Sequence, residues 1–339
     1  MKMTKSKIAI IGCGAIGITT ALKIQERLKS KVDVTIFSKD FSPNLTSDVA
    51  AGLWEPYLLE LTPEEKTTRW AGETYQYLIA NWNQAEKLGI TLQPVTYITD
   101  TSTFTTPSWL KITLGYTELP RQQIEQFSKR YNQKLTGGFH FVSFTWEASR
   151  FIPYFSELFI DGGGTIVRRD IQDLWELSEY DVVVNCTGLA SKDLVCDNEM
   201  KPVRGQVMKV KAPWQNGIYI IDCHNRCSYI IPNIELTTLG GTKQIDYNTN
   251  ISNTDRQHIQ STCQTIIPSL KTAEILKEVV GLRPSRTRVR VEAETLQRQD
   301  KFLRVVHNYG HGGAGITLSI GCANEAADLV EMLLARSKM

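Results

Sequence analysis

The sequence predicts an α/β protein in two parts: a doubly wound nucleotide-type domain interrupted by a mixed, antiparallel-rich insertion. Three observations predict it. The chain opens on a buried strand, a glycine-rich turn and a helix; a β-rich stretch with frequent turn residues fills about 200 to 250; and a second glycine-rich loop, HNYGHGGAGITL at 307 to 318, precedes a closing helix.

Composition sets the class. With 339 residues, 42% of them apolar, the chain can bury a full core, and its length suggests about two domains. Thirty-eight basic and thirty-six acidic side chains leave a net charge of +2, and no dense Lys/Arg run stands out, so neither nucleic acid nor a membrane surface is expected as partner. The cysteines, Cys13, Cys186, Cys196, Cys223, Cys227, Cys263 and Cys322, are odd in number and scattered, which fits a reduced compartment better than a disulfide framework. Cys223 and Cys227 stand four apart without two further ligands nearby, so no metal site is expected. The opening MKMTKSKIAIIG runs straight into a strand, and no apolar run approaches the roughly 20 residues a bilayer needs; neither secretion nor membrane insertion is expected.

The first element is KIAIIGCGAIG, residues 7 to 17, with Gly12, Gly14 and Gly17 in G-x-G-x-x-G spacing and the helix-compatible ITTALKIQERL after it. Gly12 permits the turn, Gly14 lets backbone approach a pyrophosphate, and Gly17 lets helix and strand pack closely, while the helix N-terminus offers N–H groups to phosphates. Strand, tight turn and helix in this order predict a Rossmann-type dinucleotide site. Such a site carries an acid about twenty positions on, at the end of the second strand. VDVTIFSKD offers Ser38, Lys39 and Asp40 there, the acid one or two places late, so ribose contact and a plain surface aspartate both stay open.

Next, residues 63 to 90 carry amphipathic helical patterning, opened by a threonine cap at Thr62 with acids behind it. From about 91 the pattern turns to strands and turns, and a helix begins near Glu147. Asp181 to Asn185 is a short buried strand returning to Cys186-Thr187-Gly188, which would extend the opening sheet. RGQVMKVKAP, GIYIID, SYIIP and TTLGGTKQ read as antiparallel strands, helical sequence follows from about 254 to 279, and the strand FLRVVHN leads into the last glycine loop and ITLSIGCANEAADLVEMLLARS. The resulting partition is a discontinuous nucleotide domain at 1–56, 140–195 and 287–339 and a second domain at 57–139 and 196–286. The first loop would hold the diphosphate end of a long cofactor. The last would reach its other end, with the amides of Gly312 to Gly315 and a helix start at Ile316 stabilising negative charge.

Six ordered motifs carry a resemblance: IIGCGAIG, TSDVAAGLWEPY, VVNCTGL, PVRGQV, GLRPSR and HNYGHGGAGIT. Over nearly its whole length the chain resembles the FAD-dependent D-amino-acid oxidase and D-aspartate oxidase family. The resemblance implies a Rossmann-type FAD-binding domain with an inserted substrate domain. It implies oxidation of a D-amino acid to an imino acid, hydrolysed to a 2-oxo acid and ammonia, with oxygen reduced to hydrogen peroxide. The family's carboxylate-binding arginine falls on Arg283, whose planar fork suits two charge-assisted hydrogen bonds. Tyr229 matches the tyrosine that assists it, and Gly313 the position whose carbonyl accepts from the substrate amine. Glu55, Tyr57, Lys243 and Arg226 complete the implied substrate pocket. FAD contacts are implied at Gly12, Gly14, Ala15, Ile16, Gly17, Ser38, Lys39, Thr46, Ser47, Gly52, Leu53 and Ile171, and at Thr187, Gly188, Gly312, Gly313, Gly315, Ile316 and Thr317. Hydride transfer to flavin N5 needs no side-chain acid or base, so His307 and His311 are expected to organise the loop.

Departures from the family pattern bear on partners and selectivity. Asn225 replaces a lid tyrosine, and Lys39 stands where the family carries an aspartate. Ser337-Lys338-Met339 differs from the S-K-L address only in its last residue; a peroxisomal import receptor, with peroxisomal rather than cytoplasmic localisation, and a chance match both stay open. A homodimer is an open expectation. Lys243 and Arg226 favour an acidic side chain; Glu55, where neutral-selective relatives have glutamine, and the Gly313-Ala314 pair favour a neutral one. The expectation is a broad or neutral, D-alanine-type preference, with acidic D-amino acids as runner-up. A nicotinamide-dependent dehydrogenase would leave the last glycine loop without a role, and a non-catalytic FAD-binding protein would leave Arg283 and Tyr229 without one.

Overall fold

The computed structural model describes residues 5–101, 106–224 and 226–336, without the Arg226 side chain. Asn225 and the Ser337-Lys338-Met339 tail lie outside the described residues, as does any contact of the Arg226 guanidinium. Among the described residues the strands are β1 (Ser6–Ile11), β2 (Val32–Ser38), β3 (Ile90–Thr99), β4 (Leu114–Glu118), β5 (Gly137–Trp146), β6 (Thr165–Arg168) and β7 (Val182–Asn185). They continue with β8 (Lys201–Lys211), β9 (Ile218–Cys223), β10 (Arg226–Pro232), β11 (Thr237–Gly240), β12 (Gln244–Ile245), β13 (Glu274–Arg298) and β14 (Lys301–His311).

One hydrogen-bonded path joins them in the order β4-β5-β3-β9-β10-β11-β8-β13-β14-β7-β1-β2-β6, with β12 beside β8. The end β14-β7-β1-β2-β6 is parallel, and β1 and β7 are near-continuous apolar runs because both faces are covered, one by the helices Ala15–Leu28 and Gly315–Arg336 and the other by Ile171, Leu174, Leu177 and Leu296. From β9 to β14 each neighbour runs antiparallel along the path. Tyr229 of β10 pairs with Ile220 of β9 on one side and Gly240 of β11 on the other, and Gly240 pairs with Val207 of β8. Period-two alternation then sends Ile220 and Asp222, and Cys227, Tyr229 and Ile231, to one face of the sheet.

The helix Ala15–Leu28 buries Ile18, Ala21 and Ile24 and packs on the closing helix Gly315–Arg336, which also covers Glu64–Ala80. Gly321 allows that last contact: a Cβ there would lie 2.3 Å from Trp70 Cα. A second core gathers Met208, Val210, Ile230, Leu239, Ile259 and Cys263 at the helix Asn253–Ile266. No helix among the described residues is long and apolar enough to cross a membrane.

Several elements depart from the sequence expectation. Thr62 caps nothing: the helix starts behind Pro63 with no side-chain cap, and the Thr62 hydroxyl instead accepts from the Val289 N–H at 3.0 Å. The helix read over 254–279 ends at Ile266, and 274 onward is strand, because β8 offers eleven residues of edge to pair with. β13 then runs unbroken through position 286, where the sequence partition had a boundary, and 140–146 lies in the antiparallel strand β5. The helix Arg121–Tyr131 had no sequence expectation; it buries only Ile124, too thin an apolar stripe to read.

Candidate functional site

A cleft of about 770 Å³ runs from the turn after β1, across the ends of β2 and β7, onto the β8-β9-β10-β13 face. Its end at the turn after β1 is built as the glycine spacing requires. The Gly12 N–H donates to Phe37 O at 2.7 Å, the residue adopts φ 101°, and a Cβ would lie 2.6 Å from Cys186 O. A Cβ on Gly17 would lie 1.9 Å from Gly12 O, so this glycine serves the strand–helix contact and does not line the cleft. Gly14 is different. Its φ of −78° suits any residue, and a Cβ would meet only Ser47 Oγ at 3.4 Å. Nothing in the chain itself demands glycine there, whereas a group lying against the turn does. This is the fit expected of a dinucleotide cofactor.

Ala15 and Ile16 of the same turn line the cleft with Thr46, Ser47, Gly52, Leu53, Ile171, Thr187, Gly188, Gly312, Gly313, Gly315 and Ile316. Ser38 also lines it but is tied down: its hydroxyl accepts from Cys13 N–H at 3.3 Å and donates to Asp40 O at 2.7 Å. Lys39 and Asp40 are exposed at the rim. Thr317 is buried outside the lining, and its hydroxyl accepts from Glu55 N–H at 3.1 Å.

That Thr317 contact is one of several that fix the segment carrying Glu55 and Tyr57. Trp54 is buried, its N–H donates to Phe144 O at 2.8 Å, its O accepts from Ser143 Oγ at 2.7 Å, and its indole donates to Ala71 O at 3.0 Å. Gly52 stands at φ 76°, where a Cβ would lie 2.3 Å from Trp146 O. Glu55 and Tyr57 are thereby placed on the cleft wall.

At the sheet end, Arg283 and Tyr229 lie against glycine backbone. A Cβ on Gly205 would fall 2.4 Å from Arg283 Nη1, one on Gly240 2.2 Å from Tyr229 Cζ, and one on Gly313 2.3 Å from Tyr57 Cδ1. The glycines thus hold open the space the guanidinium and the two rings occupy. Arg283 Nη1 donates to Thr242 O at 3.0 Å, the Tyr229 hydroxyl lies within the field of the guanidinium, and the Tyr57 ring centroid lies 6.0 Å from it. Burial pushes the phenols of Tyr57 and Tyr229 up, so both are protonated near neutral pH.

Lys243 does not line the cleft; it is half-exposed, with Nζ 3.4 Å from Asp222 Oδ1. Asp222 does line it, and its Oδ2 accepts from Tyr97 OH at 2.8 Å. Asp222 and Tyr97 had no place in the sequence reading. The available signal was an acid on the Ile218-Ile220-Asp222 face of an otherwise apolar strand. Glu55 is also not the plain carboxylate the sequence suggested: burial, then repulsion from Asp222, pushes its pKa up to about 8. His307 and His311 are buried, and burial pushes them down to about 4 and about 3, with the Arg290 charge adding to the effect on His307. Both imidazoles are neutral. His307 bonds Glu294 Oε2 at 3.0 Å outside the cleft, while His311 Nε2 and Asn308 Oδ1, on cleft-lining residues, have no protein partner among the described residues. Such orphaned buried atoms fit a polar group in the cleft.

The sequence profile of the FAD dependent oxidoreductase family, DAO, matches residues 7–329. The chain is 38% identical to D-aspartate oxidase of Homo sapiens over 97% of its length and 95% of that protein. It is 35% identical to D-amino-acid oxidase of Dictyostelium discoideum over 98% and 93%. Glycine oxidase of Bacillus cereus superposes with a TM-score of 0.77 over 97% of this chain and 98% of that one, at 21% identity, which speaks for the fold. With the profile spanning almost the whole chain, the protein belongs to the FAD dependent oxidoreductase family.

Proposed function

We propose that the protein oxidises D-amino acids to imino acids that hydrolyse to 2-oxo acids and ammonia, with neutral side chains preferred over acidic ones. The carrying observation is the pairing of Arg283 with Tyr229 on the same cleft that holds the Gly12-Gly14 turn. A carboxylate anchor and a dinucleotide cradle share one space. Relatives at 35% and 38% identity carry the names D-amino-acid oxidase and D-aspartate oxidase, which supports the D configuration.

On this reading the Gly12–Ile16 turn and Thr187-Gly188 would hold the dinucleotide end of FAD, and Gly312 to Ile316 would hold its ring. When bound, FAD supplies a two-electron acceptor that passes electrons to oxygen, giving hydrogen peroxide. The substrate loses its α-hydrogen with two electrons and one amine proton. Arg283 retains N–H donors beyond the one held by Thr242 O, and in a partly dry cleft they bind the α-carboxylate strongly. Tyr229 and Tyr57, both protonated, wall and orient it. His311 is too weak a base to compete for the substrate proton. The chain's contribution is orientation and charge complementarity.

The deciding experiment is the visible spectrum of the purified protein before and after anaerobic addition of D- and L-amino acids. Bleaching of a bound flavin by D-isomers alone is expected; no bleaching, or bleaching by L-isomers, overturns the reading.

A further inference from the structure

We propose that Glu55 and Asp222 form a side-chain subsite that favours D-amino acids ending in an ammonium or guanidinium over equally long uncharged ones. The inference rests on the oxidase reading above and names the substrates that reading leaves open. Arg283 and Tyr229 define where the α-carboxylate sits. Tyr229 pairs with Ile220 across β9–β10, and Asp222 stands two residues further on the same face, about 7 Å along the strand. That separation is within reach of a four-carbon side chain leaving the α-carbon.

Asp222 is only loosely neutralised. Tyr97 gives it one neutral hydrogen bond, and Lys243 approaches at 3.4 Å from a half-exposed position, a kind of pair that water largely screens. Among the described residues no hydrogen-bond donor reaches the Glu55 carboxyl, although it lies on the cleft wall. Among the described residues the other groups facing it are the Cys227 thiol, the Tyr97 and Tyr57 phenols and the Arg283 guanidinium. Burial keeps the Cys227 thiol up at about 12, so it adds no charge. Arg283 is matched by the substrate's own carboxylate.

A cation entering between Glu55 and Asp222 offsets both the burial, which is the larger cause, and the Asp222 repulsion that hold Glu55 protonated. Near neutral pH its binding therefore releases a proton from Glu55, and its affinity rises as pH climbs through about 8. A neutral side chain gains nothing from that change, and an acidic one meets Asp222.

The test uses the FAD-loaded protein with D-lysine and D-norleucine, which share a four-carbon side chain and differ by the ammonium. The expected kcat/KM ratio favours D-lysine by about tenfold or more at pH 8.5 and rises between pH 7 and about 9. Glu55→Gln should flatten that rise, and Asp222→Asn should pull the ratio toward one. A wild-type ratio at or below one, or variants that leave a high ratio unchanged, overturns the subsite. Should no D-amino acid bleach the flavin, the oxidase reading itself fails; oxidation of D-norleucine without a D-lysine advantage defeats only this inference.

Discussion

Lys243 Nζ stands 3.4 Å from Asp222 Oδ1, so the cation that sequence resemblance offers to an acidic substrate already faces a carboxylate of its own chain. A D-aspartate side chain could reach it only past Asp222, whose carboxylate repels its own. D-Alanine is therefore expected to match or exceed D-aspartate in kcat/KM, with Lys243→Met changing the D-aspartate value by less than about threefold, under 1 kcal/mol. A D-aspartate advantage of about tenfold that Lys243→Met erases would show that Lys243 anchors an acidic side chain.

Arg283→Ala should lower kcat/KM for every D-amino acid by roughly two to four orders of magnitude, the range for a carboxylate left without its charged partner, about 2–5 kcal/mol. The flavin spectrum should persist, because the arginine stands on the sheet and not on the Gly12–Ile16 turn. Gly205→Ala provides a second reading, since its methyl would press on the guanidinium from 2.4 Å. Raised KM in that variant is the expected sign of a displaced Arg283, and normal kinetics in both variants would remove the arginine from the site.

Gly14→Val should fold yet purify colourless. The protein itself leaves room at this position, with Ser47 Oγ the nearest atom to a Cβ at 3.4 Å, so the clash falls on whatever occupies the cleft. Circular dichroism and flavin absorbance separate the two effects. Stoichiometric FAD in the variant would place the cofactor elsewhere.

Acid stability should report the two buried histidines. Both folded pKa values, about 4 for His307 and about 3 for His311, lie below the ordinary histidine value. As pH falls below about 6.5 the unfolded chain takes up protons that the folded one refuses, so stability drops from there down to the folded values. The slope is at most about 1.4 kcal/mol per pH unit for each histidine. Denaturant titrations at pH 7 and 5 should show this loss, and His311→Gln should make it shallower; identical pH dependence in the variant would show that the imidazole is not buried neutral.

Much of this protein was legible as sequence because the signals are local. The Gly12-Gly14-Gly17 spacing encodes a turn within a few residues, and the apolar runs of β1 and β7 mark strands buried on both faces whatever lies beside them. Motifs around Arg283, Tyr229 and the last glycine loop could be read one at a time for the same reason. Tertiary structure decided what depends on distant neighbours. Residues 274–279 became strand because β8 lay alongside, and Thr62 left its helix for Val289. The pocket's charge was settled the same way. Asp222 of β9 reaches Tyr97 and Lys243, and burial first, with Asp222 proximity second, keeps Glu55 protonated; both depend on distance in space and not along the chain.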